Sequence, residues 1–214
     1  MPSDRKVATY HKRPQGRNIP QATTKSPNKY NILENTKTVS YSKTTITELM
    51  IPSYANFGGK IHGGILLSMM DKVAYACAAK HAGGYCVTVS IDNVEFRAPV
   101  EVGDLVSLHA AVNYVGRTSL VVGIRVLAEN IETGEIRHTN TSYFTMVAKD
   151  KTGKPREVPA LTLENEEEVR RFMEAMKRKE LKIQFKDDFD NEKSLMKAQQ
   201  NHQLLDNERC VINF

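Results

Sequence analysis

Between Ile65 and Ala79, twelve of fifteen residues are apolar or aromatic. A helix that is apolar nearly all round has no solvent face and has to be buried. The length of the run and its Ala, Met and Leu content argue for helix over strand, and Gly83-Gly84 ends it. Ser68, Asp71 and Lys72 interrupt the run, which is shorter than the roughly 20 residues a membrane span requires. No transmembrane helix is expected.

The sequence around this helix reads as strands. Thr45, Thr47 and Leu49 alternate with Ile46, Glu48 and Met50. Pro52, Ser53 and Asn56 open a loop, and Gly58, Gly59, Gly63 and Gly64 follow within seven residues. After the helix come four strand-like runs. Val87, Val89 and Ile91 alternate, and Val94 and Phe96 continue in the other phase, so a bulge is expected at Asp92-Asn93. Pro99 closes this run. Val106 to Tyr114, Val122 to Val126 and Thr139 to Ala148 supply the rest, with turns at Gly116, Thr133-Gly134 and Thr152-Gly153. A doubly wound parallel sheet needs a helix between strands. The order here predicts an α+β fold in which an antiparallel sheet wraps one hydrophobic helix, over residues 42–160.

The flanks are polar. Of the chain's 214 residues, 1–41 are expected to form a disordered basic arm. Arg5, Lys6, Lys12, Arg13, Arg17, Lys25 and Lys29 face a single acid, Asp4, within its first thirty residues. The arm lacks aromatic interleaving and helical periodicity, so a solvated tail is the reading and no nucleic-acid partner is expected. Pro2, Pro14 and Pro20 would break a mitochondrial presequence helix. Residues 161–186 predict an amphipathic surface helix. Asn165 and Glu168 form its capping box, and Val169, Phe172, Met173 and Met176 form its apolar stripe. Residues 187–214 read as a polar, frayed tail. Cys77, Cys86 and Cys210 are odd in number and suit neither a disulfide framework nor zinc. With no secretory signal, a reducing, cytoplasmic setting is expected, without a metal site and without membrane attachment.

Asp71 is the anomaly. Its helical neighbours Leu67, Ser68, Ala74 and Tyr75 include no cation, and burying an unpaired carboxylate is costly. It faces a cleft or a subunit interface, as a working acid or base would, or it shares an exposed strip with Lys72. Gly63 and Gly64 open the helix. Backbone N–H groups there lack intrahelical partners and can hold a developing oxyanion, and Asp71 follows about two turns later.

The stretch Asn56-Phe57-Gly58-Gly59-Lys60-Ile61-His62-Gly63-Gly64, followed by Met69-Met70-Asp71, resembles the signature of acyl-CoA hydrolases with the hotdog fold. Val87-Thr88-Val89, Phe96-Arg97-Ala98-Pro99-Val100, Gly103-Asp104, Gly116-Arg117-Thr118-Ser119, Gly153-Lys154-Pro155 and Val158-Pro159 are similar in the same order, over about residues 42–180. The resemblance implies a helix wrapped by an antiparallel sheet, pairing into a homodimer and often a homohexamer. It implies hydrolysis of fatty acyl-CoA to fatty acid and coenzyme A, with no cofactor beyond the coenzyme A of the substrate. Asp71 falls on the family's catalytic aspartate, and Asn56 on an asparagine that faces it across the dimer interface. Gly116, Arg117, Thr118 and Ser119 match a segment associated with coenzyme A binding. Tyr54-Ala55 departs from the Asp-Thr that relatives often carry.

On these terms Gly63 and Gly64 polarise the thioester carbonyl, and Asp71 activates water or attacks directly. His62 donates to the carbonyl or merely packs. Two other readings differ in class. A hotdog hydratase or dehydratase needs a histidine paired with an acid, and no histidine follows Asp71 until His81. A non-catalytic acyl-CoA sensor would use the basic arm on DNA, yet residues 1–40 show no helix-turn-helix pattern.

Overall fold

The computed structural model describes residues 35–199, 205 and 208–213. The expected arm at 1–34 lies outside them. Three helices and seven strands follow in chain order: β1 (Thr36–Thr38), α1 (Val39–Ser42), β2 (Thr44–Leu49), α2 (Gly63–Ala82), β3 (Cys86–Ile91), β4 (Asp104–Val115), β5 (Ser119–Asn130), β6 (Ile136–Ala148), β7 (Ala160–Thr162) and α3 (Glu166–Gln199). A 3-10 turn, Pro52–Tyr54, lies between β2 and α2.

The main sheet is antiparallel in the order β2-β4-β5-β6-β3. Helix α2 lies on one face. Met70, Val73, Ala74, Cys77 and Ala78 have no accessible surface, nor do Val112, Val122, Phe144 and Met146 of the strands. Small residues at three of those five helix positions let the sheet close tightly around the helix, which is how one helix fills a core without leaving voids. Burial holds the Cys77 thiol up at about 12, so it is inert filler. The helix stops at Gly83, whose φ of 68° is open to glycine and strained for other residues.

Helix α3 crosses the opposite, outer face. Phe172 meets the Tyr114 ring of β4 at 5.0 Å, and the Arg178 guanidinium lies 3.5 Å from the Tyr143 ring centre of β6. Asn165 Oδ1 accepts from the Glu168 N–H at 3.0 Å. The Glu168 carboxylate reaches back to the Glu164 N–H at 2.9 Å, one residue further than the usual box, so both partners cap the helix start.

Four expectations are corrected. Residues 36–41, expected within the disordered arm, are ordered: β1 pairs in parallel with β7, Thr36 opposite Ala160, a contact across more than a hundred residues that no local pattern reports. The bulge in the β3 run lies between Thr88 and Ser90, with Asp92-Asn93 beyond the strand. Val94 and Phe96 belong to no strand. Helix α3 continues to Gln199, past 186, because its Lys, Glu, Gln and Met content favours helix even where it is polar.

Candidate active site

Asp71 lies on the side of α2 turned away from the core, and its side chain is exposed. The Thr88 hydroxyl donates to Asp71 Oδ1 at 2.6 Å. No cation pairs with Asp71 among the described residues. Lys72 is exposed beside it, so the two share an exposed strip, and the bond to Thr88 ties Asp71 to the edge strand β3. Tyr75, one turn on, packs against Tyr85 with the rings tilted and 6.2 Å apart. Tyr75, Tyr85, Val89 and Phe96 all present large apolar surface to solvent.

The bulge at Val89 makes this arrangement. Without it, Thr88 and Ser90 would share one face of β3. With it, Thr88 points to α2 and Ser90 points to α3, where it accepts from Lys182 Nζ at 2.9 Å. Thr88 was not singled out from sequence. A threonine between two valines is an ordinary strand residue, and nothing local marks this one as a partner of Asp71.

Asn56 organises the loop before α2. Its Oδ1 accepts from the N–H of Gly58 at 2.9 Å and of Lys60 at 3.2 Å. Two backbone donors fix the amide orientation, so the Nδ2 donors are the end that faces away from the loop. Within one protomer Asn56 is not bonded to Asp71. The departure at Tyr54 is accommodated: its hydroxyl donates to Glu48 Oε1 at 2.6 Å.

His62 is the N-cap of α2. Its Nδ1 accepts from the Gly64 N–H at 2.9 Å, which places the ring proton on Nε2. The Gly64 N–H is therefore occupied by the cap, and the expectation that both glycine amides hold an oxyanion narrows to the Gly63 N–H and the His62 Nε2–H. Both glycines sit in close quarters. A Cβ on Gly64 would stand 3.0 Å from the His62 ring, and one on Gly63 would stand 3.3 Å from the Phe96 ring.

Gly116 to Ser119 forms the tight β4–β5 turn, closed by Gly116 N–H to Ser119 O at 2.8 Å. Register sets Ser119 opposite Val147, which in turn faces Val87. The turn thus stands at the same end of the sheet as Thr88, two strands or roughly 10 Å across. Arg117 is exposed and its Nε donates to Glu157 at 2.7 Å. An exposed pair of this kind contributes little, so Nη1 and Nη2 can be recruited by another anion. Among the described residues no cluster of His, Cys, Asp and Glu suits a metal, and no helix is long and apolar enough to cross a membrane. A groove of about 500 Å³ lies on the outer face, lined by Arg125, Tyr143 and Arg170, remote from Asp71.

The Thioesterase superfamily model matches residues 58–135. The Helicobacter pylori protein VdlD is 46% identical over 145 residues, 68% of this chain and 83% of its own length. The Bacillus subtilis uncharacterized acyl-CoA thioester hydrolase YkhA is 38% identical over 60% of this chain and 74% of its own. The chain belongs to the acyl-CoA thioester hydrolase family. Its fold is the hotdog fold that the resemblance implies. A hexameric acyl-CoA thioesterase solved in its apo form is 41% identical, with a TM-score of 0.68 over 70% of this chain and 96% of that one. The Staphylococcus aureus acyl-CoA hydrolase, solved with butyryl coenzyme A and coenzyme A, is 29% identical, with a TM-score of 0.67 over 75% and 98%. Single alanine variants of that protein replace an asparagine, an aspartate and a threonine, successively fifteen and seventeen residues apart. Asn56, Asp71 and Thr88 of this acyl-CoA hydrolase have the same two spacings.

Proposed function

We propose that this chain hydrolyses fatty acyl-CoA in the cytoplasm, at sites completed by a second copy of itself in a homodimer or a homohexamer of three such pairs. The observation that carries the reading is the Thr88 to Asp71 hydrogen bond. It orients a carboxylate that no cation neutralises, on a face rich in exposed aromatic side chains. The matching spacing of the three residues altered in the Staphylococcus aureus hydrolase supports the same assignment.

Asp71 removes a proton from water as the oxygen attacks the thioester carbon. Negative charge moves to the carbonyl oxygen, where the Gly63 N–H and the helix start receive it, with the His62 Nε2–H in reach of the same place. Asn56 of the partner subunit orients the water through Nδ2. Collapse breaks the C–S bond, and the proton held by Asp71 passes to the leaving thiolate. Direct attack by Asp71, giving an anhydride that water then opens, uses the same residues. Arg117 binds a coenzyme A phosphate through Nη1 and Nη2, exchanging Glu157 for it, and Thr118 and Ser119 add hydrogen bonds beside the Gly116 turn. The scheme needs no metal and no cofactor other than the substrate's own coenzyme A. A hydratase reading would require a histidine beside the carboxylate. His81 is fully buried and bonded to the Pro159 carbonyl at 3.1 Å, so nothing favours it.

Thiol release from acyl-CoA esters of graded chain length, with wild type and Asp71→Ala, tests the proposal. Turnover is expected for wild type, with a loss of about a thousandfold or more in the variant and unchanged circular dichroism. Near-native turnover by Asp71→Ala, or hydration of crotonyl-CoA without thiol release, would reject it.

A further inference from the structure

Helix α3 is 34 residues long, and only its first half has a sheet beneath it. On that half one row of side chains faces the protein. Ala175 is buried, Arg178 covers Tyr143, and Lys182 Nζ donates to Asp92 Oδ1 at 2.8 Å. These contacts move outward across the sheet, from β6 to the last strand, β3. Lys182 therefore marks the place where the helix leaves the sheet.

The row does not stop there. Ala175, Arg178, Lys182, Phe185, Phe189 and Met196 follow a three-four repeat, with Glu192 in the remaining place, so they share one side of the helix. The side that grips the protein's own sheet thus becomes aromatic and apolar once the sheet has ended. Phe185 and Phe189 stack at 6.1 Å with ring planes 12° apart, and they are 69% and 55% exposed. A solvated helix half of this length is marginal by itself, and stacked phenylalanines in water favour cover.

We infer that the half of α3 beyond Lys182 lies on the outer face of a second copy's sheet, so that each protomer clasps the other across the β3 edge. Three observations select a second copy as the occupant. First, β3 is the terminal strand, with its outer backbone edge unpaired among the described residues and Val89 exposed on it, and such an edge is a template for pairing. Second, a copy paired there continues the sheet under the path that α3 already follows. Third, from Ile183 to Gln199 the helix runs on for roughly 25 Å, close to the width of five strands at about 4.8 Å each. The arrangement is two-fold symmetric, so each copy gives one helix and receives one. It rests on the pairing of copies at the Asp71 face proposed above, and it adds a contact remote from that face.

The test compares the full chain, a chain ending after Lys182, and the double variant Phe185→Asp/Phe189→Asp. Sedimentation velocity is run over a hundredfold concentration range, with amide hydrogen exchange on the full chain and thiol release as a separate readout. The expected result is that both altered chains keep the wild-type circular dichroism per folded residue and associate at least about tenfold more weakly, since buried aromatic anchors dominate such contacts. Amides 183–196 of the full chain are expected to be protected only at concentrations where it is assembled. An assembly whose strength neither alteration changes, with those amides exchanging at coil rates, overturns the helix placement and leaves the paired site standing. A full chain that stays monomeric at every concentration overturns both. Protection that appears only on adding phosphatidylcholine–phosphatidylglycerol vesicles assigns the surface to lipid and overturns the inference.

Discussion

Thr88 Oγ1 stands 2.6 Å from Asp71 Oδ1 and 3.2 Å from the Met146 sulfur. A hydroxyl has one proton, and the carboxylate takes it. The thioether lies on the hydroxyl's other side and limits where it can swing. Replacing Thr88 by valine keeps the β-branched shape that suits the strand and removes the donor. A charge-assisted hydrogen bond of this kind is worth about 1.5–3 kcal/mol. The kcat of Thr88→Val is therefore expected to fall by roughly ten- to a hundredfold, with little change in KM. Steady-state thiol release checks this, and an unchanged kcat would remove Thr88 from the site.

Asn113 is the bulge residue of β4, unpaired between Val112 and Tyr114, and its amide packs against Gly123 of β5. A Cβ on Gly123 would come within 2.4 Å of the Asn113 Nδ2. Gly123→Ala is expected to cost about 1–3 kcal/mol, as overpacking does, and Asn113→Ala in the same chain should restore part of it. A double-mutant cycle by urea unfolding measures the coupling. Additive effects would show that the two residues do not meet.

His81 sits at the end of α2 with no accessible surface, its Nε2 against the Pro159 carbonyl. Burial pushes its pKa below the ordinary 6.5, and the nearby Lys37 charge adds to the effect against the pull of the Pro159 carbonyl. The unfolded chain thus takes up a proton that the folded chain refuses. This contribution to stability is complete above about pH 6.5 and is lost as pH falls from there toward the folded-state value. Urea midpoints at pH 7.5, 6.5 and 5.5 are expected to decline more for wild type than for His81→Gln. Parallel declines would show that His81 is not the group responsible.

Asp104 is 1% exposed, bound to the Arg137 guanidinium at 2.6 Å and to the Glu101 N–H at 2.8 Å. It ties the start of β4 to β6. Asp104→Ala leaves Arg137 largely enclosed without its counter-charge, and breaking such a pair costs about 3–5 kcal/mol. Denaturant unfolding of Asp104→Ala and of Arg137→Met should show the arginine removal to be the more damaging, because it strands the more deeply buried charge. Equal, small losses would reduce the pair to a surface contact.

Much of the architecture was readable in local patterns. The run from Ile65 to Ala79 announced a buried helix, and the absence of helices among the strands after it required an antiparallel sheet. Asn165 and Glu168 marked the start of α3 within a residue. Asp71 stood out because its helical neighbours hold no cation, a property of residues four apart or fewer. The bulge was placed wrongly because the phase change at Asp92-Asn93 is visible in sequence, whereas the unpaired Val89 depends on how β3 meets β6.

The chain alone thus settled which segments are core and in what order, since periodicity and capping are carried by residues a few positions apart. Folding in three dimensions decided that Thr88 bonds to Asp71 and that Thr36 pairs with Ala160. Those facts rest on register between distant strands. A slip of one residue turns every later side chain to the other face, and no neighbour in sequence records which way it went.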